Sequence, residues 1–161
     1  SKEEEQVITQ SSHRFNSFYD SDIYSQLYRG GNWHDICDSI IQSLPQQVYV
    51  SLDIDGLSPE FCPKTGTPVP GGLSYNKITY LFDMLSKSHK TVLGFDLVEI
   101  CDDDFDIGPN TGARLLYQLC SLLTEVSDKF FMQIGENKIK FSLGNTKIIS
   151  KVIDCKFHYY K

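Results

Sequence analysis

Apolar positions change their spacing along the chain, and each change predicts a different element. Within NWHDICDSIIQSLP the apolar residues recur at helical spacing, and Pro45 ends the predicted helix. Upstream, SDIYSQLYRGG predicts a short helix that the glycine pair stops. The polar first twenty residues show no such period, and we expect a loop or a frayed end there.

Two later segments, 46–54 and 91–100, are apolar or small on both faces, which is typical of strands buried inside a parallel sheet. After the first strand, Ser74 is expected to cap a helix that runs to the lysines at 87 and 90. After the second, a leucine-rich helix is predicted over 111–124, behind an acidic loop at 101–110. Strand, helix, strand, helix predicts an α/β fold with a parallel sheet and flanking helices.

The C-terminal segment has a different pattern and a different charge. Short alternating runs are split by the turn sequences Gly135-Glu136-Asn137 and Gly144-Asn145, which predicts small hairpins. Residues 1–127 carry 8 basic and 18 acidic residues, whereas residues 128–161 carry 7 and 3. We therefore expect a boundary near Ser127, followed by a basic, β-rich tail that forms hairpins or is poorly ordered.

Composition narrows the class of protein. A chain of 161 residues with 40% hydrophobic content fits one domain with a core. No apolar run long enough for a membrane span and no secretory signal are visible. The net charge of −6, without a basic stripe, argues against a nucleic-acid partner. Five cysteines without a CxxC pair favour a reducing, cytoplasmic location over a disulfide framework.

Three carboxylates fall at predicted strand ends. Asp53 and Asp55 end the first strand and Glu99 ends the second, so a parallel sheet brings them to one edge, where ligands bind in open α/β folds. If the chain stays extended, Asp53 and Asp55 point to the same side and repel each other unless a cation lies between them. Oxygen-only ligands favour Mg²⁺, Ca²⁺ or Mn²⁺. The alternative is that an aspartate at a strand end forms an Asx-turn.

Three segments of the sequence resemble a known family. SLDIDGLSPEFCPKTGTPVPGGLS is similar to the signature of the ureohydrolases, the family of arginase, agmatinase and formiminoglutamase, and GFDLVEI and GARLLYQL resemble later family segments. The resemblance covers about residues 46–123, and its wording is most similar to bacterial agmatinase-like members. It implies the C-terminal half of the arginase-like three-layer α/β/α fold.

The resemblance also implies roles for four residues. Asp53 matches a carboxylate that bridges two Mn²⁺ ions, and Asp55 matches a carboxylate bound to one of them. Thr67 and Glu99 match residues near the guanidinium end of the substrate, and Asp53 and Glu99 are the implied catalytic residues. Family enzymes hydrolyse a guanidino or formimino C–N bond in substrates such as agmatine, arginine or formiminoglutamate, and the guanidino members release urea and an amine. Since family members often form trimers or hexamers, a homo-oligomer is compatible with the full-length protein.

Two departures from the family pattern matter. Ser58 stands where the family usually has aspartate before Pro59, and we expect a modest effect on the loop. The family's G-G-D-H and D-A-H-x-D segments do not occur in these residues, so the chain supplies two of six expected metal ligands. The isolated chain is therefore expected to be an inactive fragment of a ureohydrolase. The alternative is a non-catalytic remnant or interaction module that keeps the fold without a complete metal site.

Overall fold

A computed structural model describes residues 15–102, 105 and 107–123, the backbone of 130–135, 138–143 and 152–154, and the isolated positions 6 and 10. The chain divides into two compact units, one of which ends at Ser43 while the other begins at Leu44.

The first unit contains the two helices that the apolar spacing predicts. Helix α1 spans Asp20–Tyr28 and α2 spans Trp33–Ser43. The Asn32 side chain accepts a hydrogen bond from the Asp35 N–H at 3.0 Å and donates to the Asp35 carboxylate at 2.8 Å. This reciprocal pair satisfies a backbone donor at the start of α2 and fixes where that helix begins.

The second unit has the predicted alternation of strands and helices. Strand β1 leads through a short 3₁₀ turn and a long loop into α3, and β2 leads into α4. The bounds are Gln47–Asp53 for β1, Ile54–Gly56 for the 3₁₀ turn, Tyr75–Lys87 for α3, Thr91–Val98 for β2 and Ile107–Leu123 for α4. Strands β1 and β2 are parallel, with Val50 opposite Phe95 and Asp53 opposite Val98.

Among the described residues the strands form one five-stranded sheet in the order β3-β4-β2-β1-β5. The further strands are Phe130–Gly135 (β3), Lys138–Leu143 (β4) and Val152–Asp154 (β5). Strand β5 pairs parallel to β1, whereas β4 pairs antiparallel to both β2 and β3. The predicted fold class, an α/β fold with a β-rich C-terminal segment, is confirmed. The domain boundary near Ser127 stays a prediction.

The core of this unit is built from one face of β1, both faces of β2 and one side of each helix. Val48, Val50 and Leu52 are at most 4% exposed and alternate with half-buried Tyr49 and Ser51. Helix α3 buries all four apolar residues that its spacing selects: Ile78, Leu81, Phe82 and Leu85. The Ser74 hydroxyl accepts the Lys77 N–H at 3.3 Å, so the predicted cap is also confirmed.

Helix α4 begins at Ile107, four residues before the predicted start at Thr111. Glycine followed by proline, as at Gly108-Pro109, is typical of a loop. The first four N–H groups of a helix, however, have no partner within it. Proline therefore loses no hydrogen bond in the first turn. Of the acidic loop before the helix, positions 103, 104 and 106 lie outside the described residues. No helix in the described ranges has the length and apolar character that crossing a membrane requires.

The long loop between the 3₁₀ turn and α3, residues 57–73, is closed at its base. The Ser58 N–H donates to the Leu73 carbonyl at 3.0 Å, and the Leu73 N–H donates to the Gly56 carbonyl at 3.1 Å. Gly72 has a φ of +84°, and a Cβ there would lie 2.6 Å from the carbonyl carbon of Leu57. The backbone segments that contain Gly72 and Leu57 approach so closely at this base that only glycine fits at position 72.

We predict that Gly72→Ala destabilises the full-length protein by about 3 kcal/mol or more, since it adds a backbone clash to an unfavourable φ. Gly30→Ala is the matched control. Gly30 has a φ of +92° with nothing within 4 Å of an added Cβ, so about 1 kcal/mol is expected. Urea unfolding measures both, and equal losses would contradict the close packing at the loop base.

Candidate active site at the carboxyl ends of β1 and β2

The structure brings the predicted carboxylates to one edge of the sheet. Asp53 is the last residue of β1 and lies opposite Val98, the last residue of β2. Glu99 follows Val98 directly, and Asp55 lies within the 3₁₀ turn that follows Asp53. Asp53 and Asp55 are half-buried and Glu99 is exposed. This is the crevice at the carboxyl ends of strands where open α/β sheets bind ligands.

The chain does not stay extended beyond Asp53, so the condition under which Asp53 and Asp55 would point to the same side of a strand is not met. Residues Ile54–Gly56 turn as a 3₁₀ helix, and the Asp53 Oδ1 atom accepts the Asp55 N–H at 3.2 Å. The Asx-turn alternative therefore describes what Asp53 does locally. Turning the backbone lets two carboxylates occupy one edge without lying directly above each other on a strand.

The charge at this edge changes the acidity of Asp53. Burial, the largest cause, acts together with the charges of Asp55 and Glu99 to raise the pKa of Asp53 to about 6, although the hydrogen bond from the Asp55 backbone lowers it. Asp55 and Glu99 are therefore both close enough to Asp53 for their charges to repel that of Asp53. A cation at this edge would remove that repulsion.

Thr67 lies beside one of the two aspartates. Its hydroxyl donates a hydrogen bond to the Asp55 Oδ2 atom, and its side chain is on the exposed part of the 57–73 loop. The hydrogen bond fixes one oxygen of Asp55 and leaves the other oxygen of the carboxylate able to accept. The substrate contact that the resemblance implies for Thr67 stays a prediction.

The residue two positions earlier, Thr65, carries a contact that the sequence does not reveal. Its side chain is 9% exposed, and its hydroxyl donates to the Glu99 carbonyl at 3.0 Å. Glu99 itself has a φ of +62°. A threonine between prolines and glycines looks like ordinary loop, and no sequence pattern links it to a residue that follows the next strand.

Cys62 is a second residue that sequence reasoning missed. Its side chain is 2% exposed, and its thiol donates to the Ile54 carbonyl at 3.1 Å. Burial raises the pKa of Cys62 to about 11, with the charges of Asp55 and Asp53 adding to the effect. The thiol therefore stays protonated at neutral pH and ties the loop to the 3₁₀ turn that presents Asp55.

A buried carboxylate, that of Asp96, lies within β2 before the end of that strand. Asp96 is 9% exposed and accepts hydrogen bonds from the Ser51 hydroxyl at 2.8 Å and the Tyr49 hydroxyl at 3.0 Å. Burial, together with the charge of Asp96, raises the pKa of Tyr49, which keeps the phenol protonated as a donor. Tyr49 and Ser51 share a face of β1 with Asp53. This face is therefore a polar network rather than the small or apolar surface that its sequence suggests.

The residues present fit only part of a metal centre. Asp53 and Asp55 supply oxygen donors of the kind that hard divalent ions prefer. Within the described ranges, however, no group of three or more histidine, cysteine, aspartate or glutamate side chains is arranged to hold a metal ion. Two carboxylates do not make a complete two-metal site, so the described residues alone do not account for one.

Comparison with known proteins identifies the family of proteins to which this chain belongs. The profile of the arginase family matches residues 2–122. The chain therefore belongs to the arginase family, which confirms the resemblance in the sequence.

Individual relatives match part of their length. The chain is 39% identical over 85 residues to N(1)-aminopropylagmatine ureohydrolase from Thermus thermophilus, which covers 53% of this chain and 29% of the relative. It is 37% identical over 84 residues to agmatinase from Pyrococcus horikoshii, covering 52% and 29%. The solved structure of proclavaminate amidinohydrolase from Streptomyces clavuligerus superposes with a TM-score of 0.61 and 25% identity, covering 72% of this chain and 37% of that one. The chain thus spans less than a third of the two relatives matched by sequence and 37% of the solved structure.

We predict that the metal-free protein loses stability as the pH rises through about 6. The pKa of Asp53 in the folded state lies above its ordinary value near 4, so the folded state favours the protonated form. The stabilisation is fully present below about pH 4 and is lost once Asp53 ionises. Asp53→Asn removes this dependence.

Urea unfolding of the chelator-treated protein between pH 4 and 8 measures the difference between wild type and Asp53→Asn. The control is Asp83→Asn, which alters an exposed carboxylate that pairs with Lys87 at 2.6 Å. Parallel wild-type and Asp53→Asn curves across that range would show that Asp53 titrates normally.

Proposed function

We propose that this chain is part of a manganese-dependent ureohydrolase that hydrolyses a guanidino C–N bond and releases urea and an amine. The observation that carries the proposal is the convergence of Asp53, Asp55 and Glu99 at one sheet edge in a chain of the arginase family. Placing the charges of Asp55 and Glu99 beside the half-buried Asp53 is unfavourable for stability alone. Their arrangement suits the binding of cations.

In this proposal Asp53 and Asp55 supply two ligands of a two-manganese centre, and residues outside this chain supply the others. Several structural features support that assignment. The 3₁₀ turn separates the two carboxylates, and Thr67 fixes one Asp55 oxygen. The backbone hydrogen bond holds Asp53 in place. Hydrogen bonds of this kind to a metal-binding carboxylate orient it for coordination of the metal ion.

Glu99 is proposed to bind the guanidinium group of the substrate. Its exposed carboxylate lies close enough to Asp53 to raise the pKa of that aspartate. A carboxylate accepts charge-assisted hydrogen bonds from a planar guanidinium, which can be bidentate. Thr67, whose hydroxyl donates to the Asp55 carboxylate, is proposed to lie next to the same guanidinium group.

The substrate is proposed to be a guanidino compound of the agmatine type. The support is that two relatives are named as acting on agmatine or aminopropylagmatine. Arginine and formiminoglutamate are the competing substrates. The protein is proposed to act in the cytoplasm, because Cys37, Cys62, Cys101 and Cys120 are free thiols. A homo-oligomer remains part of the proposal for the full-length protein.

We predict that the full-length protein with added Mn²⁺ releases urea from agmatine, and that Asp53→Asn or Asp55→Asn lowers kcat/KM by more than about 100-fold. The loss is larger than for an outer-sphere partner because a metal ligand itself is altered. Asp83→Asn, the same chemical change at an exposed position, is expected to leave kcat/KM unchanged. A colorimetric urea assay with agmatine, arginine and formiminoglutamate, plus product analysis for the last, tests this. Absence of turnover with all three would reject the proposal.

A second candidate function is a non-catalytic interaction module. The observation in its favour is that the described residues lack a group of three metal-binding side chains. This candidate keeps the sheet and the carboxylates but needs no metal.

Calorimetry with Mn²⁺ separates the two candidates. We predict weak uptake by the 161-residue chain, since two carboxylates make an incomplete site, and tighter uptake by the full-length protein. Asp53→Asn/Asp55→Asn should abolish uptake in both. If the full-length protein and this chain both bind Mn²⁺ only weakly, the module is the better description. Tight two-ion uptake by the chain alone would show that its own residues complete a site.

A further inference from the structure

The backbone of Glu99 has an unusual conformation. Among the described residues other than glycine, Glu99 alone has a positive φ, at +62°. A residue with a long side chain adopts this left-handed region at a conformational cost, and persists there only where its surroundings hold it. The left-handed conformation of Glu99 directly follows Val98, where β2 ends. It turns the chain at the residue that carries the carboxylate.

Thr65 supplies a restraint on that conformation. Its hydroxyl donates to the Glu99 carbonyl at 3.0 Å, and the side chain is 9% exposed. The 57–73 loop that carries Thr65 is itself fixed, by backbone hydrogen bonds at Leu73 and by the Cys62 thiol at the Ile54 carbonyl. The hydroxyl therefore connects a fixed loop to the strained residue.

The next residue in the loop controls the Glu99 side chain. A Cβ at Gly66 would lie 2.6 Å from the Glu99 Oε2 atom, so the carboxylate lies directly over the Gly66 backbone. Thr65 thus contacts the backbone of Glu99, and Gly66 provides the space for its carboxylate. Two consecutive positions of the loop therefore lie against one residue, Thr65 at its backbone and Gly66 beneath its carboxylate.

We propose that Thr65 is a positioning residue, which holds Glu99 in the left-handed conformation through its hydroxyl and thereby places the Glu99 carboxylate for the guanidinium group. The role of Glu99 in this inference rests on the proposed function. Thr65 does not touch the substrate and acts only through Glu99. The conformational part of the inference concerns the protein alone.

The test is a double-mutant cycle in the full-length protein. Thr65→Val keeps the shape and removes the hydroxyl, and is expected to lower kcat/KM for agmatine about tenfold, while Thr65→Ser retains most of the activity. In a Glu99→Ala background the same Thr65→Val change is expected to alter the residual rate by less than about twofold, because there is no carboxylate left to place. Thr79→Val, which removes a hydroxyl bonded to the Tyr75 carbonyl in α3, is the matched control and should have no effect.

A second readout does not depend on activity. A strong nuclear Overhauser effect between the amide and α protons of Glu99 reports its positive φ, and is expected in the wild type and Thr65→Ser but weakened in Thr65→Val. If the protein does not turn over any guanidino compound yet this signal weakens in Thr65→Val, the proposed function fails while the restraint on Glu99 stands. An unchanged signal in Thr65→Val, or a tenfold loss that persists in Glu99→Ala, overturns the inference.

A third variant covers the case in which Thr65→Val does not fold. Glycine adopts a positive φ without support, so Thr65→Val/Glu99→Gly is expected to recover folded protein. Failure of both variants to fold would contradict the inference, because the loss would then come from elsewhere than the Glu99 backbone.

Discussion

The parallel pairing of β1 with β2 is the constraint on which the edge of the sheet depends. It places Asp53 opposite Val98, so that Asp55 and Glu99 follow from adjacent strand ends. Burial raises the pKa of Asp53, and repulsion from the charges of Asp55 and Glu99 adds to that rise. The apolar face beneath them, with Val48 and Phe95 fully buried, supplies the stability that this repulsion opposes. The fold thus holds the charges in an arrangement that they would not adopt by themselves.

The 57–73 loop gives this edge its detailed geometry. It starts from the 3₁₀ turn of Asp55, contacts Glu99 through Thr65, and returns to its own base at Leu73. Side-chain hydrogen bonds from Cys62 and Thr67 attach it to the 3₁₀ turn. A loop rich in glycine and proline is here an ordered part of the candidate site, because its polar groups find partners on both strand ends.

The sequence was sufficient for those features that follow from local spacing. Strands β1 and β2, helix α3 with its Ser74 cap, and the meeting of Asp53 with Glu99 all follow from periodicity and from the rule for strand ends. The start of α4 was misplaced because Pro109 signals a loop in sequence, while in a first helical turn it is compatible with the helix. Thr65, Cys62 and the Tyr49–Asp96 bond were missed because each joins groups that only the tertiary fold brings together. The roles of the four candidate residues came from family resemblance and stay predictions.

The separation in sequence between the paired strands has a consequence for the order of folding. Gln47 pairs with Thr91, so the whole 57–73 loop and α3 lie between the partners. Contacts of this kind form only after a large loop has closed, and they slow the folding reaction relative to local structure. We therefore expect the pairing of β1 with β2, which brings Glu99 to Asp53, to form later than the local structure of α3. Glu99 is distant in sequence from Asp53 and Asp55, which are near neighbours in every state of the chain, so its charge adds to the repulsion at Asp53 only once the two strands have paired.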